Sequence, residues 1–193
     1  MKKPKKSSSD DGPRRSEPVY RWIIKITVFA ILVSTVFTFV SSNALGNAGY
    51  ALAIGALVLF IAIGVAFDIV GVAVTAAREA PFHAMASHHE RGAREVLALL
   101  RNANKVSSVC NDVVGDIAGI VSGTTAALVA GRIAAGGGAS ELAAQLIVSG
   151  VVTGLTIGGK AIGKTFAMSY TTEILLRVGR FISIFNKRSA KKR

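Results

Sequence analysis

Three acidic residues, Asp68, Asp112 and Asp116, lie in or beside long apolar segments of the chain. Asp112 and Asp116 are spaced so that their side chains share one face of a helix. An ionised carboxylate at the centre of a bilayer costs about 2.5–3.5 kcal/mol on insertion scales, so such residues usually face a protein interior or an aqueous cavity and mark an ion or proton pathway. We therefore predict that Asp68 and Asp116 line a shared polar cavity. The alternative is that Asp112 reaches water at the membrane surface and that Asp68 pairs with a basic residue.

Asn111 adds an amide oxygen beside these carboxylates, and Ser107 and Ser108 add hydroxyl groups nearby. Oxygen ligands suit hard cations such as magnesium and calcium and disfavour copper and iron. The predicted metal ligands are Asp68, Asn111, Asp112 and Asp116. Beyond a bound or transported cation of this kind, magnesium first, the sequence predicts no cofactor.

The three histidines, His83, His88 and His89, do not have the pattern of a zinc site. Adjacent residues of a helix point about 100° apart, and no thiolate partner accompanies them. We expect these side chains to face solvent. Cys110 is the single cysteine, so it cannot form an intrachain disulfide and is predicted to be a small packing residue.

Residues 158–165 match the phosphate-loop pattern GxxxxGK[ST], which binds nucleotide phosphates in many enzymes. A working loop of this kind follows a β-strand and needs a second, acid-bearing strand for its metal ion. Here the pattern follows an uncharged, glycine-patterned stretch that is as long as a membrane span. We therefore expect residues 158–165 not to bind a nucleotide.

The composition is that of a membrane protein. Hydrophobic residues make up 51% of the 193-residue chain and charged residues 18%, against roughly 25% charged in an ordinary soluble domain. The mean hydropathy is +0.49. The segment between Lys25 and Asp68 carries no charge and is long enough for two spans, since about 20 apolar residues of helix cross a bilayer core. Little of the chain remains for a catalytic domain, so we expect no enzymatic activity.

We predict an all-α integral membrane protein with four transmembrane helices, a cytoplasmic surface helix and an amphipathic juxtamembrane helix. The predicted spans lie at about residues 22–44, 50–77, 107–133 and 141–159. The surface helix or helix pair lies at about 80–102 and the juxtamembrane helix at 160–185. The predicted divisions are a disordered basic cytoplasmic tail (1–18), an additional transmembrane helix (19–44), a core transmembrane domain (45–185) and a basic cytoplasmic tail (186–193).

The positions of the basic residues predict the orientation. They cluster in both tails and between the second and third spans, whereas the other two connections carry only Arg132 and Glu141. Under the positive-inside rule, both termini of this multi-pass protein face the cytoplasm from the inner (plasma) membrane. The net charge of +12 then comes from basic residues that keep these segments on the cytoplasmic side and attract anionic lipid. We expect no nucleic-acid partner, because no aromatic residues are interleaved with the basic ones.

Two series of glycines recur at every fourth residue. They are Gly115, Gly119 and Gly123 on the third span and Gly150, Gly154 and Gly158 on the fourth. This spacing puts each series on one helix face, where glycine lets two backbones approach closely. We predict that the two series form a tight crossing between the third and fourth spans.

Four segments of the chain resemble the transmembrane domain of the CorC/CorB and cyclin M magnesium transporters. They are residues 67–75, residues 92–100, the span that contains Asn111, and residues 159–167. The resemblance covers about residues 50–185 and leaves the first span as an addition. It implies transport of magnesium, with cobalt as an alternative ion, by a homodimer. Asn111 matches the family's asparagine, and Gly159, Lys164 and Thr165 match the family's third conserved element.

The chain departs from the family at the metal-binding positions. Asp68 stands where the family has a serine and Gly71 where it has a glutamate, while Gly163 replaces a proline and Lys160 a second glutamate. We also expect the family's cytoplasmic CBS domains to be absent, in which case a separate regulatory subunit would supply regulation.

Lys160 changes the electrostatics of the predicted site. An ammonium group repels a divalent cation and neutralises nearby carboxylates, so we predict that Lys160 is an internal counter-charge for the intramembrane acids. The leading functional hypothesis is divalent cation transport or handling. The alternative is a non-transporting membrane scaffold or regulatory subunit that kept the fold and lost the metal site.

Overall fold

The computed structural model describes residues 19–46, 49–137 and 140–190 of the chain. This part is helical and contains no β-strand. Four of its helices are long and apolar enough to cross a membrane, which confirms the predicted all-α, four-span class. The predicted tail at residues 1–18 lies outside the described residues, as do residues 191–193.

The helices occur in the order expected, with short helices between the second and third spans. The elements are α1 (Val19–Gly46), α2 (Tyr50–Ala76), α3 (Glu79–Ser87), α4 (Ala93–Leu100), α5 (Ala103–Ser108), a π-helical segment (Val109–Gly115), α6 (Asp116–Ala135), α7 (Glu141–Ser169) and α8 (Thr171–Ala190). The third span is therefore continuous through α5, the π-helical segment and α6. The sequence predicted no π-helical segment.

The fourth span extends further than the sequence predicted. α7 continues to Ser169, whereas the predicted end was residue 159. Glycine did not break the helix there, because Gly159 and Gly163 pack against side chains of α2 instead. A Cβ atom at Gly159 would lie 3.1 Å from Val65 Cγ2, and one at Gly163 would lie 2.8 Å from Ile69 Cγ1.

The amphipathic helix begins later than predicted. α7 ends at Tyr170, where the backbone angles (φ −117°, ψ 30°) leave the helical region, and α8 starts at Thr171 instead of residue 160. The backbone of α8 then stays helical to Ala190, which includes part of the segment predicted to be a tail. The predicted pair of helices between the second and third spans is present as α3 and α4, while their location on a membrane surface stays a prediction.

α2 is the central helix of the bundle, in contact with both α6 and α7. Its last turns also join a core that contains α4 and α8. This core consists of Ala73, Val74, Phe82, Val96, Leu100, Ala167 and Leu175. Burial of these apolar side chains fixes the end of α2 that follows Asp68.

α1 packs on the outside of the bundle, as expected for an addition to a core domain. Ile26, Ala30 and Val33 contact the buried face of the third span, but no residue in the most apolar part of α1 is buried. A cavity of about 280 Å³, lined by apolar side chains, separates part of α1 from α2 and α6.

The glycine series does not form the predicted crossing. Of the six glycines, only Gly115 has an atom within 4 Å of the position of a Cβ; the other five have none. α6 and α7 are nevertheless neighbours, and they meet around Leu57 through Ala126 and Val152. The two helices therefore pack closely against each other, as predicted, but through small and branched side chains and not through the glycine series.

A close backbone crossing does occur between α4 and α8. Gly92 has φ = +91°, and a Cβ atom at Gly179 would overlap the Gly92 carbonyl oxygen. Glycine is required at both positions, by backbone conformation at Gly92 and by steric exclusion at Gly179.

Candidate cation site

Asp68 is the buried acid of the described chain. It lies on α2 with 5% of its surface exposed, and its Oδ2 atom has no hydrogen-bond partner among the described residues. An unsatisfied buried polar group costs about 1–3 kcal/mol, and more when the group is charged. Such a group in a native fold points to an absent ligand, a proton or a conformational rearrangement.

Asn111 supplies a second unpartnered oxygen. Its Nδ2 donates a hydrogen bond of 3.3 Å to Ser107 Oγ, which leaves Oδ1 as the free end of the amide. This Oδ1 is buried and accepts no hydrogen bond from the described residues. The amide is therefore oriented by Ser107 with its acceptor atom turned away from that contact.

Gly71 provides the space for Asn111. A Cβ atom at Gly71 would overlap Asn111 Oδ1, so the asparagine amide lies directly against the α2 backbone. Asp68 precedes Gly71 by three residues and therefore lies on the same face of α2. One turn further back on this face, a Cβ atom at Gly64 would be 3.1 Å from Ala118 Cβ. Asp68 thus lies between two close contacts of α2 with the third span.

The π-helical segment carries two residues of the third span that meet α2, one on each side of Asp68 along the helix. A π-helical turn is wider than an α-helical turn, and such turns are frequent at functional sites. Asn111 and Gly115 both belong to this segment, and each approaches α2 at a glycine. No motif or periodicity in the sequence indicates the change of helical type.

Lys160 of α7 reaches the same junction. A Cβ atom at Gly115 would lie 3.6 Å from Lys160 Nζ and 3.6 Å from the Cys110 carbonyl oxygen. Within the described chain, Lys160 forms no ion pair with Asp68 or Asp116 at the 4.0 Å limit. Lys160 therefore lies near the junction of α2 with the third span. It does not form the direct ion pair with Asp68 that the alternative prediction for Asp68 requires.

Asp112 and Asp116 lie elsewhere. Both are exposed and line a cleft of about 390 Å³ between α1 and α6, opposite Ser34 and Thr35 of α1. Asp68 does not line this cleft, and a cavity shared by Asp68 and Asp116 stays a prediction. Consecutive helical residues point in different directions, and therefore Asn111 can face α2 only if Asp112 faces away from it.

The four predicted metal ligands are consequently divided into two pairs. Asp68 and Asn111 form an inner pair at α2, and Asp112 and Asp116 form an outer pair at α1. Among the described residues, no group of three or more histidine, cysteine, aspartate or glutamate side chains is placed to hold a metal ion. The inner pair offers one carboxylate and one amide as oxygen donors.

The remaining sequence motifs do not form sites. His83, His88 and His89 are exposed, as predicted, and His83 lies 3.7 Å from Glu79 of the same helix. Cys110 is buried in the π-helical segment, as predicted. The phosphate-loop pattern at residues 158–165 lies within α7, so its backbone amides are engaged in helical hydrogen bonds and cannot surround a phosphate.

Comparison with protein-family models, curated proteins and solved structures gave no match. The resemblance to the magnesium transporters therefore stays a prediction from the sequence.

Proposed function

We propose that this protein binds a cation at Asp68 and Asn111 within the membrane and takes part in the transport or handling of divalent cations, with magnesium as the first candidate. The observation that carries the proposal is the pair of buried acceptor oxygens, Asp68 Oδ2 and Asn111 Oδ1, neither of which has a donor among the described residues. A single cation bound where α2 meets the third span would satisfy both acceptor oxygens. Oxygen ligands suit a hard cation.

The resemblance to the CorC and cyclin M transporters supports the same proposal. It suggests a homodimer, a multi-pass location in the inner membrane, and cytoplasmic termini. The asparagine that matches the family's motif is the one whose oxygen is unpartnered. Asp68 supplies a carboxylate next to it, although the family's own glutamate position is taken by Gly71.

Magnesium-dependent thermal stability of the purified protein in detergent tests the proposal. A ligand at about 100 times its Kd stabilises a protein by about 2.7 kcal/mol, so magnesium should raise the melting temperature of the wild type. Asp68→Asn keeps the side-chain shape and should abolish this rise. Asp112→Asn is the matched control, since the same change is made at an exposed carboxylate, and it should keep the rise.

Flux into liposomes loaded with a magnesium-sensitive dye tests the transport part. Wild type and Asp112→Asn should admit magnesium, and Asp68→Asn should not. If millimolar magnesium changes neither the melting temperature nor the dye signal of the wild type, the proposal is wrong.

A second candidate function is a non-transporting scaffold or regulatory subunit. It is favoured by Lys160, whose ammonium lies at the junction that a divalent ion would occupy and would repel such an ion. A protein of this kind would fold and insert normally but give no flux, whichever side chain stands at position 160.

A further inference from the structure

Lys160 belongs to the same junction as Asp68, although the two do not touch. Gly115, which lies against Lys160 Nζ, has its carbonyl oxygen 3.9 Å from the position of a Cβ at Gly64. Gly64 precedes Asp68 by four residues on the same face of α2, which is about one helical turn. The ammonium and the carboxylate therefore belong to one junction, where α2 and α7 meet the third span.

The packing of α7 keeps Lys160 at this junction. Gly159 and Gly163 lie against Val65 and Ile69 of α2, so the backbone on both sides of Lys160 is fixed. The lysine side chain itself is partly exposed and has a flexible four-carbon stem. A change of rotamer moves its ammonium while the helices stay in place.

The charge balance favours that movement. A buried acceptor oxygen without a partner is destabilising, and more so when it carries charge; Asp68 Oδ2 has no partner among the described residues. Lys160 provides a positive charge at the edge of the same junction. When Asp68 has no bound cation, the ammonium gains electrostatic energy by approaching the carboxylate, and a cation that enters must displace it.

We propose that Lys160 is a tethered cation, which competes with a free divalent cation for the Asp68 carboxylate. This inference deepens the function proposed above and depends on it. The affinity for magnesium is then set by the lysine as well as by the ligands, because each magnesium ion that binds must move an ammonium group away.

Magnesium binding to the full-length protein in lipid nanodiscs, measured by calorimetric titration, tests the competition. Lys160→Met removes the charge and keeps the length of the side chain. It should tighten magnesium binding by at least about tenfold, because the ammonium no longer repels the incoming cation. Lys164→Met is the matched control, because Lys164 is exposed on the same helix, and its affinity should equal that of wild type. Equal or weaker binding by Lys160→Met would overturn the inference while leaving cation binding intact.

Unfolding in EDTA provides a readout that needs no metal. If Lys160 neutralises Asp68 in the metal-free protein, Lys160→Met and Asp68→Asn should each lower the melting temperature, and the double variant should recover part of the loss. The corresponding cycle of Lys160→Met with Asp112→Asn should be additive. Zero coupling between Lys160 and Asp68 would overturn the inference.

The two experiments distinguish the inference from the proposed function. If magnesium bound to neither wild type nor Lys160→Met, the proposed function and the competition would fail together. A persisting coupling in EDTA would still establish Lys160 as the partner of Asp68.

Discussion

At the scale of single residues, Gly71 is the position on which the inner pair depends. The asparagine amide occupies the volume in which a side chain at Gly71 would stand. By the resemblance to the magnesium transporters, this glycine stands where a carboxylate is expected. In the structure, the absence of a side chain at Gly71 admits Asn111 to the α2 backbone, one turn from Asp68.

Gly71→Ala should therefore destabilise the protein, because the added methyl group displaces Asn111 from a packed site. Overpacking of this kind typically costs about 1–3 kcal/mol. Gly55→Ala is the matched control on the same helix, since no atom lies within 4 Å of the position of its Cβ. Thermal unfolding in detergent should show a lower melting temperature for Gly71→Ala alone. Equal melting temperatures would contradict the contact.

At the scale of elements, the glycines that matter are those that face α2. The fourfold repeat on α6 and α7 suggested a direct crossing of these two helices, but five of its six members have open space beside them. Gly159 and Gly163 instead receive the branched side chains of Val65 and Ile69. Glycine spacing alone is therefore a poor guide to which neighbour a helix face meets, because the same spacing suits a protein contact and a lipid-exposed face.

Gly163→Leu should separate α7 from α2, since a Cβ atom at this position already lies 2.8 Å from Ile69 Cγ1. Gly154→Leu should be tolerated, although the repeat in the sequence predicted damage there. The loss for Gly163→Leu should be at least about 1–3 kcal/mol, measured as reduced unfolding free energy in detergent. Greater damage from Gly154→Leu than from Gly163→Leu would contradict the observed packing of α7.

At the scale of the whole molecule, the distribution of basic residues predicts sidedness. The segments between α2 and the third span carry several basic residues, whereas the α6–α7 connection is nearly uncharged. Positive residues are retained on the cytoplasmic side during insertion. The four-helix architecture places these two connections at opposite ends of the candidate spans.

Cysteine labelling of intact cells tests the orientation in a Cys110→Ala background. Gly137→Cys, in the exposed turn after α6, should react with an impermeant maleimide from outside. Ser87→Cys, at the exposed end of α3, should react only after permeabilisation. The reverse pattern would place the termini outside.

The sequence by itself determined the class of the fold and the approximate limits of the spans. In hydrocarbon every backbone group must find its partner within the protein, so long apolar segments without charge become helices whatever their neighbours are. The same reasoning identified Asp68, Asp112 and Asp116 as acids whose burial in a membrane needs an explanation.

Only the tertiary structure decided which of these residues meet. Asn111 lies against Gly71, three residues from Asp68, because α2 approaches the third span closely there, while Asp112 and Asp116 line a cleft beside α1. The extension of α7 past Gly159 goes with a different contact, the packing of Gly159 and Gly163 on Val65 and Ile69 of α2. Each is a matter of which helix face meets which neighbour, and that choice is made by packing between segments far apart in the chain, which local patterns of residue type do not encode.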